Sequence, residues 1–474
     1  GSEPVLIKDK GKIQLTEIGP LVEKITKKRG LTQIDKELEG VVNPGIEVYG
    51  FDKNMKGGWS QVTVAARKKA TDIFYKFITR SGREITTTGD HNMLILQNGK
   101  VIAAKSTEIK KGEFIPLPRS VSNDAKAPTF LNLLELLKNS KGVYVKNAGN
   151  LIKENYQSLR GTSLDERLDG YLYKYRDGRI VPIKYFWKIL KRLNIKAADP
   201  CLKNIKLTSK LTKNRNAFNR DFEVTSSFLR LIGYIAAEGT IRENCIMISN
   251  EDPEVLKDMD SSFKSLTVPF FYGNRGVISG CRIFVEIVKA LGGQGKSKQK
   301  RVLPLVFSLE KEKIAQYLAT YFEGDGGVEH SSIVAVSKSE KLLSEISYLL
   351  YYFGIIGRIS ATKKRAPHWT SKKTYYKLSI SGQDNLRKFA ESINFVSERK
   401  KRKLSKITGK EGNTNVDLIP EVSSIFKEIQ QLFGFQLHHI SEISNWAGNK
   451  RLPSPQSLQK TVNQIEERIQ HFKD

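Results

Sequence analysis

The sequence predicts a multidomain α+β protein, and three observations support this fold class. The chain has 474 residues, which is too long for one ordinary core and suggests about three domains. Its first 120 or so residues alternate apolar and polar side chains around turn signals, as β-structure does. Further along, a short helical motif ending in an acidic residue and a glycine occurs twice, and the pattern after each copy is also repeated.

The composition points to a polyanionic partner. The chain contains 79 Lys and Arg against 50 Asp and Glu, a formal net charge of +29 at pH 7. Such an excess repels itself unless a polyanion binds, so nucleic acid is the expected partner and an anionic membrane surface is the alternative. We expect no membrane span and no secretion signal, because we find neither a run of about 18 apolar residues nor a basic-then-apolar N-terminus.

The cysteines and histidines predict neither a disulfide framework nor a zinc site. The three cysteines, Cys201, Cys245 and Cys281, are widely spaced, and the six histidines show no metal-ligand spacing. Cysteines that are not organised into pairs are typical of a reducing compartment. We therefore expect a cytoplasmic, nucleoid-associated protein.

Residues 1–124 are predicted to form an all-β domain. The turn sequences Asp9–Gly11, Arg80–Arg83 and Asn98–Gly99 each separate two segments of alternating hydrophobicity. Short polar turns that contain glycine between such segments are strong hairpin signals. The sequence therefore predicts three hairpins in this region.

Residues 125–223 are predicted to form a helical, basic region that recognises nucleic acid. Leu131–Lys138 is rich in leucine, and Ile183–Leu193 combines an apolar stripe with lysines and aromatic residues. A run of cations downstream indicates phosphate contact, although such runs are also common on solvated faces. The positions that we assign to nucleic-acid binding in this run are Lys203, Lys206, Lys210, Lys213 and Arg215.

The repeated motif spans Leu231–Gly239 and Leu318–Gly326. Each copy is predicted to be a helix with small residues four positions apart, Gly233 and Ala237 in the first and Thr320 and Gly324 in the second, so that two helix backbones can approach closely. The glycine after each carboxylate is expected to leave the helix with a positive φ angle. Side by side, the helices would bring Glu238 and Asp325 together at their C-terminal ends, where a divalent cation would relieve the repulsion.

The segments after the two motifs predict a duplicated unit. Residues 224–304 and 305–404 each have the predicted order helix, strands, helix, strands, helix. The short sequence Ile-Ser-Gly also occurs at corresponding places in the two units, as Ile278–Gly280 and Ile380–Gly382. In the first unit, Gly276–Phe284 is predicted to be a strand. Repetition on this scale implies a pseudo-two-fold axis and one saddle-shaped antiparallel sheet built from both halves.

Residues 405–474 are predicted to form a separate helical module. Val422–Gly434 and Leu458–Phe472 have helical periodicity, and Ile440–Arg451 lies between them. Helix, turn, helix, a basic loop containing Arg451 and a further helix resembles a helix-turn-helix module that binds DNA. Small three-helix units also serve as packing pieces.

The two motifs and the repeat around them resemble the LAGLIDADG homing endonucleases over residues 224–404. The resemblance implies a staggered double-strand cut in a long DNA target, with the two sheets along the major groove. It implies that Glu238 and Asp325 hold Mg²⁺ or Mn²⁺ at the scissile phosphates. A duplicated active site needs no second subunit, so we expect a monomer.

The resemblance also implies one lysine from each half at the cleavage centre. Basic clusters occur at comparable points of the two units, at Lys296–Pro304 and Ser397–Leu404. By position we assign this role to Lys300 and Lys400, with Lys298 and Lys401 as near alternatives. The cations of these clusters that we expect to contact phosphate groups are Lys298, Arg301, Arg399, Lys401 and Arg402.

Thr86–Leu94, together with Ile109–Pro118, resembles the N-terminal splicing block of inteins, the Hint family. In that family the Thr-x-x-His pair, here Thr88 and His91, polarises the scissile peptide bond. The family's first nucleophile, its closing strands and its terminal His-Asn are not found in this sequence. We therefore expect that the chain does not splice by itself and that it is a shortened chain, one piece of a split system, or a relic.

Three alternatives remain at this stage. A non-catalytic DNA-binding protein with the LAGLIDADG fold often lacks the motif carboxylates, and both are present here. An RNA-binding maturase on the same scaffold does not account for the Thr88 and His91 pair. A fragment that acts only in protein splicing is disfavoured by the ends of the sequence.

Overall fold

The computed structural model describes residues 1–69, 71–160, 166–209, 216–364, 373–409, 418–433 and 440–470. Most of their buried apolar side chains fall into two clusters. The larger cluster contains Leu6, Ile13 and Val121 and then extends from Leu133 to Ile407, and the smaller one lies between Val422 and Ile465. Buried residues of the N-terminal strands such as Val41 and Ile95 lie outside both clusters.

The described part of residues 1–124 is built mainly from short strands. In chain order its elements are β1 Pro4–Asp9, β2 Lys12–Glu17, α1 Ile18–Arg29, β3 Thr32–Gln33, β4 Leu38–Val42, β5 Glu47–Phe51, β6 Gly57–Gln61, β7 Val64–Lys68, β8 Phe74–Ile78, β9 Glu84–Thr88, β10 Asn92–Gln97 and β11 Lys100–Lys105. They pair as the sheets β2-β1-β5-β6 and β3-β4-β7 and as the hairpins β8-β9 and β10-β11.

The three predicted hairpins are present, as β1-β2, β8-β9 and β10-β11. Two of their turns have consecutive residues with positive φ, at Lys10–Gly11 and Asn98–Gly99, which suits the right-handed twist of the strands that they join. The prediction of an all-β region was wrong at α1. This helix buries only Val22 and Thr26, so its sequence shows little apolar periodicity.

The described part of residues 125–223 mixes helices with a small sheet. Its elements are β12 Phe130–Asn132, α2 Leu133–Leu136, β13 Val143–Lys146, α3 Gly149–Glu154, α4 Tyr156–Leu159, α5 Glu166–Arg176, β14 Val181–Pro182, α6 Ile183–Arg192, β15 Lys206–Ser209, β16 Phe218–Asn219 and β17 Asp221–Glu223. The prediction for α6 is confirmed. The predicted helix Leu131–Lys138 is instead the end of β12 and one turn of α2, because β12 pairs with β17. The four-stranded sheet β14-β13-β15-β16 was not predicted.

Two units with the same order of elements follow. The first contains α7 Ser226–Glu238, β18 Gly239–Ile241, β19 Ile246–Ser249, α8 Pro253–Ser265, β20 Phe271–Gly273, β21 Gly276–Ser279 and α9 Arg282–Ala290. After a 3₁₀ turn at Pro304–Ser308, the second contains α10 Lys311–Asp325, β22 Gly326–Glu329, β23 Ser332–Ser337, α11 Glu340–Tyr351, β24 Gly357–Lys364, β25 Lys373–Ile380 and α12 Gln383–Ser392.

The two units have sheets of equivalent strand order, β18-β19-β21-β20 and β22-β23-β25-β24. Among the described residues no backbone ladder joins them, so two four-stranded sheets stand where one continuous sheet was expected. The predicted strand Gly276–Phe284 ends at Ser279. There the Ser279 hydroxyl accepts a hydrogen bond from the Cys281 amide at 3.3 Å, and α9 then begins at Arg282.

The C-terminal helices are α13 Glu398–Thr408, α14 Ser423–Phe433, α15 Ser441–Ala447 and α16 Pro455–Gln470. The last three enclose the smaller cluster, in which the rings of Phe426 and Trp446 lie 4.9 Å apart. The predicted helices are confirmed. No helix in the described ranges is both long and apolar enough to pass through a lipid bilayer.

The turn between β8 and β9, which we call the 80–83 turn, contacts the second unit. The Ile359 amide of β24 donates to the Ser81 carbonyl at 2.8 Å. The Arg83 guanidinium lies 4.6 Å from the ring centre of Tyr348 and 5.0 Å from that of Tyr351, both on α11. A cation stacked on two aromatic rings is a favourable contact. It fastens the N-terminal hairpin to the second unit.

Candidate functional site

The helices α7 and α10 lie side by side at the centre of the two units. A methyl group on Gly233 would lie 2.0 Å from the Thr320 hydroxyl and 2.4 Å from the Tyr317 carbonyl. A methyl group on Gly324 would lie 2.6 Å from Cβ of Ala237. These distances are far below van der Waals contact, so the backbones approach this closely only because the residues between them are small.

The glycines after the two carboxylates do not have the expected positive φ. Gly239 has φ −76° and Gly326 has φ −118°. Their role is steric, because a Cβ on Gly239 would lie 2.5 Å from Cα of Ile235 and one on Gly326 would lie 2.7 Å from the Phe322 carbonyl oxygen. Each strand leaves its helix by passing close to the last turn, and a side chain there would block it.

The helix ends bring Glu238 and Asp325 into one electrostatic environment. The pKa of Asp325 is raised to about 7, chiefly by burial; the Lys300 charge opposes this shift, the Glu238 charge adds to it, and Lys400 also opposes it. Burial also raises the pKa of Glu238, although a hydrogen bond of 2.8 Å from the Asn250 amide counteracts this. Both groups are shifted because charge in a partly desolvated site is costly.

Lys300 and Lys400 occupy matching places at the ends of the two helices. The Lys300 ammonium donates to the carbonyls of Ala237 at 2.8 Å and of Ile235 at 3.3 Å. The Lys400 ammonium donates to the carbonyls of Glu323 and, at 2.8 Å, of Gly326. Each lysine thus binds carbonyls at the C-terminus of its helix, where the dipole is negative and some carbonyls lack an intrahelical partner. Burial lowers the pKa of both ammonium groups.

The two lysines are held in different ways. Lys400 lies 3.4 Å from the Glu323 carboxylate, which is 3% exposed and accepts from the Val396 amide at 2.8 Å and from the Ser397 amide and hydroxyl at 3.0 and 2.8 Å. Glu323 therefore fixes both the lysine and the chain that leads to it. The corresponding position of the first motif is Ala236.

The segment that contains Lys300 is anchored by the opposite unit. The Ser339 hydroxyl donates to the Lys300 carbonyl at 2.7 Å. The Glu345 carboxylate accepts from the Arg301 guanidinium at 2.6 Å and from the Val302 amide at 2.7 Å. Glu345 is on α11 of the second unit. Lys300 therefore binds the carbonyls of α7 from a segment that the second unit holds in place.

The protein groups suit a hard divalent cation only in part. In the described ranges, no group of three or more His, Cys, Asp or Glu side chains could hold a metal ion. The site offers two carboxylates, Glu238 and Asp325, whose oxygen atoms are the ligand type that Mg²⁺ and Mn²⁺ accept. Mg²⁺ usually binds through one or two carboxylates and completes its coordination with water and substrate phosphate oxygens. The residues present fit such a site once DNA supplies the phosphates.

The other predicted DNA contacts fall into three groups. Lys203, Lys298, Arg399, Arg402 and Arg451 are exposed, and Lys206 is half-buried on β15. Three of the predicted cations form ion pairs within the chain: Arg301 with Glu345 as described, Lys401 with Glu398 on the surface of α13 at 2.8 Å, and the exposed Arg399 with Asp252 at 3.8 Å. Three predicted positions lie outside the described residues: Lys210, Lys213 and Arg215.

Thr88 and His91 lie around the end of β9, apart from the helix pair. The Thr88 hydroxyl donates to Asp90 at 2.5 Å, and Asp90 also pairs with Lys68 at 2.5 Å. The contact with Lys68 lowers the pKa of Asp90 to about 2. The His91 side chain is exposed, and its carbonyl accepts from the Ser106 hydroxyl at 3.0 Å.

Sequence reasoning missed Glu323, Asn250 and Glu345. Glu323 lies within the second motif, two positions before Asp325, and comparison with Ala236 in the first motif was a signal that could have identified it. Asn250 and Glu345 lie on neighbouring elements, where an amide and a carboxylate are usual on a solvated surface. No pattern in the sequence marks them.

Comparison with known proteins identifies one domain. Residues 312–394 match the LAGLIDADG-like domain. The chain also resembles a solved structure of I-DmoI in complex with DNA and Mn, at 14% identity, 36% of this chain, 97% of that chain and a TM-score of 0.27. A transcription factor IIB mini-intein matches at 25% identity, 24% of this chain, 64% of that chain and a TM-score of 0.23.

The curated relatives have varied names. The DNA polymerase II large subunit of Thermococcus kodakarensis is 29% identical over 75% of this chain and 20% of its own length. In Methanocaldococcus jannaschii, the DNA-directed RNA polymerase subunit Rpo1C is 25% identical over 98% of this chain and 47% of its own length. The glutamine–fructose-6-phosphate aminotransferase of that organism is 24% identical over 80% and 35%. The chain spans less than half the length of each.

Proposed function

We propose that this chain, which contains a LAGLIDADG-like domain and resembles intein-encoded homing endonucleases, cuts both strands of a long DNA target. The observation that supports this most directly is the pair α7 and α10, at whose ends the charges of Glu238, Lys300 and Lys400 all act on the Asp325 carboxyl. The net charge of +29 provides the attraction to DNA that such an enzyme needs.

The relatives support an inserted element rather than a host function. A polymerase subunit, an RNA polymerase subunit and an aminotransferase share no activity in name, yet each matches most of this chain over a minor part of its own length. A segment that recurs in unrelated proteins is what an intein with its endonuclease would produce. Residues 1–124, with Thr88 and His91, would be the splicing part.

Each residue of the site has a proposed role in cleavage. Glu238 and Asp325 would hold Mg²⁺ or Mn²⁺ against the scissile phosphates. When bound, that cation would activate water and neutralise the charge that develops on the phosphate. Lys300 and Lys400, held at the helix ends, would add positive charge beside that phosphate. In Lys300, the bonds to Ile235 and Ala237 account for two of its three N–H donors.

The two strands are expected to be cut at unequal rates. The Glu238 carboxylate extends one methylene further from its backbone than the Asp325 carboxylate does. Of these two carboxylates, only that of Glu238 accepts a side-chain hydrogen bond from a described residue, Asn250. A non-catalytic DNA-binding protein would need neither carboxylate nor the buried lysines that face them. We therefore favour the endonuclease.

The proposal is tested by plasmid cleavage. A plasmid library with a randomised insert is incubated with the chain and Mg²⁺, and nicked and linear products are compared for the wild type, Glu238→Gln and Asp325→Asn. We expect sequence-selective linear product from the wild type and a loss of at least ~100-fold in each variant, since each removes a metal ligand. Strand-specific labels report the two nicking rates. Salt-sensitive binding without cutting in Mg²⁺ or Mn²⁺ would overturn the enzymatic assignment.

A further inference from the structure

A row of apolar side chains crosses the uncovered face of the first sheet. Thr240 pairs with Met247, Met247 with Ile278, and Ile278 with Phe271, so one residue from each strand lies in line. Thr240 and Phe271 are exposed, the latter by 57%, and Met247 and Ile278 are half-buried. The residues that alternate with this row face the core, as their burial shows: Ile246, Ile248 and Val277.

The row beside it consists of small residues. Ser249 pairs with Gly276, and Gly276 pairs with Gly273. The Ile278 side chain leans over Gly273, where its Cδ1 would lie 2.9 Å from an added methyl group. Met247, Ile278 and Phe271 therefore provide the larger side chains of the two rows. Another molecule that lies along this face would contact the apolar row first.

The same face of the second sheet is more polar, although β23 contributes Val334 and Val336 to it. Ser379 pairs with Arg358 and Lys377 pairs with Ser360, while the alternating residues Leu378 and Ile380 are fully buried. The Lys377 ammonium also contacts Glu329 at 2.6 Å. Two sheets with the same strand order therefore present different chemistry at equivalent surfaces.

Both faces continue directly from the cleavage centre. β18 begins at the residue after Glu238, and β22 begins at the residue after Asp325. DNA positioned for cutting between the two carboxylates would therefore extend over both sheets. Base pairs offer two kinds of feature in the major groove: hydrogen-bonding edges on every pair, and a methyl group on thymine alone.

We propose that the first sheet reads thymine methyl groups through Met247, Ile278 and Phe271, whereas the second sheet reads base edges by hydrogen bonding. This inference rests on the proposed function and specifies its substrate: the half-site next to Glu238 is rich in A·T pairs with thymines placed against the apolar row. Apolar side chains satisfy no base edge, so they can distinguish bases only by contact with that methyl group.

The test replaces thymine with uracil, which keeps the hydrogen-bonding edge and removes only the methyl group. A target recovered from the randomised library is synthesised with uracil in one half-site, in the other, or in neither, and binding to the wild-type chain is measured with Ca²⁺ in place of Mg²⁺. We expect the apparent Kd to rise about fourfold for each methyl group lost from the half-site at the first sheet. The other half-site should change less than twofold.

Two substitutions identify the sheet responsible. Phe271→Ser should reduce the penalty for uracil in the sensitive half-site, and its exposed position makes folding insensitive to the change. Val336→Ala is the matched control, because it shortens a half-buried apolar side chain on the same face of the second sheet, and it should leave the penalty unchanged. If selective binding is intact and uracil weakens binding equally in both half-sites, or in neither, this inference is overturned while the proposed function stands. Absence of any selective binding or cutting would overturn the proposed function as well.

Discussion

The two halves of the candidate site share their elements and differ in how those elements are held. In the first half, Glu238 accepts a hydrogen bond from Asn250, and its lysine comes from a segment that Ser339 and Glu345 of the second unit fix in place. In the second half, Lys400 comes from α13 and is held by Glu323 of the same unit. The two halves share the approach of α7 to α10 and the lysine at each helix end, and they differ in the contacts that support those lysines.

The comparison distinguishes the residues that the close packing of α7 and α10 requires from the supporting contacts that can vary. The two glycines between the helices leave no room for a side chain, because a methyl group would meet the Tyr317 carbonyl at Gly233 and Cβ of Ala237 at Gly324. A lysine that binds the last carbonyls of a helix can be supported by any carboxylate or hydroxyl within reach. We therefore expect the halves to respond differently to the same substitution.

The largest difference is expected between Lys400→Met and Lys300→Met. Removing Lys400 leaves the buried Glu323 carboxylate without its cation, which should lower the free energy of unfolding by roughly 3–5 kcal/mol. Removing Lys300 should cost only about 1–2 kcal/mol, because Asp325, with a pKa of about 7, can take up a proton instead. Urea denaturation at pH 7 measures both values.

The control for this prediction is the double variant Lys400→Met with Glu323→Gln. If the buried ion pair is the cause, the two changes should be less than additive by about 1 kcal/mol or more. Equal destabilisation by the two lysine variants, or full additivity in the double variant, would show that the halves are supported alike.

Asp325→Asn should stabilise the metal-free protein above pH 7 by roughly 2–4 kcal/mol. Burial raises the pKa of Asp325 to about 7 from 3.8, so the folded state holds a proton that the unfolded chain has already lost. The wild type therefore loses stability as the pH rises from about 4 to about 7, and the advantage of the variant grows over the same range. Thermal unfolding in EDTA at several pH values measures it.

The same ionisation should govern cutting by the wild type. A carboxylate binds a cation only when deprotonated, so Mg²⁺-dependent cleavage should increase as the pH rises through about 7. Glu238→Gln is the matched variant in the other half and should give a smaller gain in stability, because Glu238 has a hydrogen bond and is less buried. A stability difference that does not change between pH 4 and 7 would contradict the assignment of the charge to Asp325.

The smallest effect is expected for Asn250→Ala, which has no counterpart in the second half. It removes the hydrogen bond to Glu238 and should lower the free energy of unfolding by about 1 kcal/mol. Since that bond lowers the pKa of Glu238, its loss should move the midpoint of the pH–cleavage profile upward. Strand-specific nicking between pH 6 and 9 detects this, and an unchanged profile would mean that Asn250 does not act on the reaction.

Local chemistry explains which parts of the fold were predictable. The hairpins at Lys10–Gly11 and Asn98–Gly99 follow from residues that tolerate positive φ, and α7 and α10 follow from apolar spacing interrupted by small residues. These features depend on neighbours in the sequence. The lysines at positions 300 and 400 were reached only through the repeat and the family resemblance, not through local pattern.

The unpredicted parts depend on contacts between distant residues. α1 has a single buried apolar residue, Val22, and the strands β14 and β16 have two residues each. The role of Glu323 depends on the chain at Val396 and Ser397, more than seventy positions away. Hydrophobic periodicity cannot predict such contacts, because the two residues become neighbours only when the chain has folded.

Because of the contacts of the 80–83 turn, the N-terminal hairpin and the second unit are expected to be inherited together. Gly82 has φ +76°, and a methyl group there would lie 1.7 Å from the Ile359 carbonyl oxygen. Arg83 covers the rings of Tyr348 and Tyr351. An exchange that moved the strand-rich part of this chain to another protein would uncover those rings and leave Arg83 without its two aromatic partners. Recombination preserves these contacts only where the 80–83 turn and the residues that it contacts on α11 and β24 are transferred together.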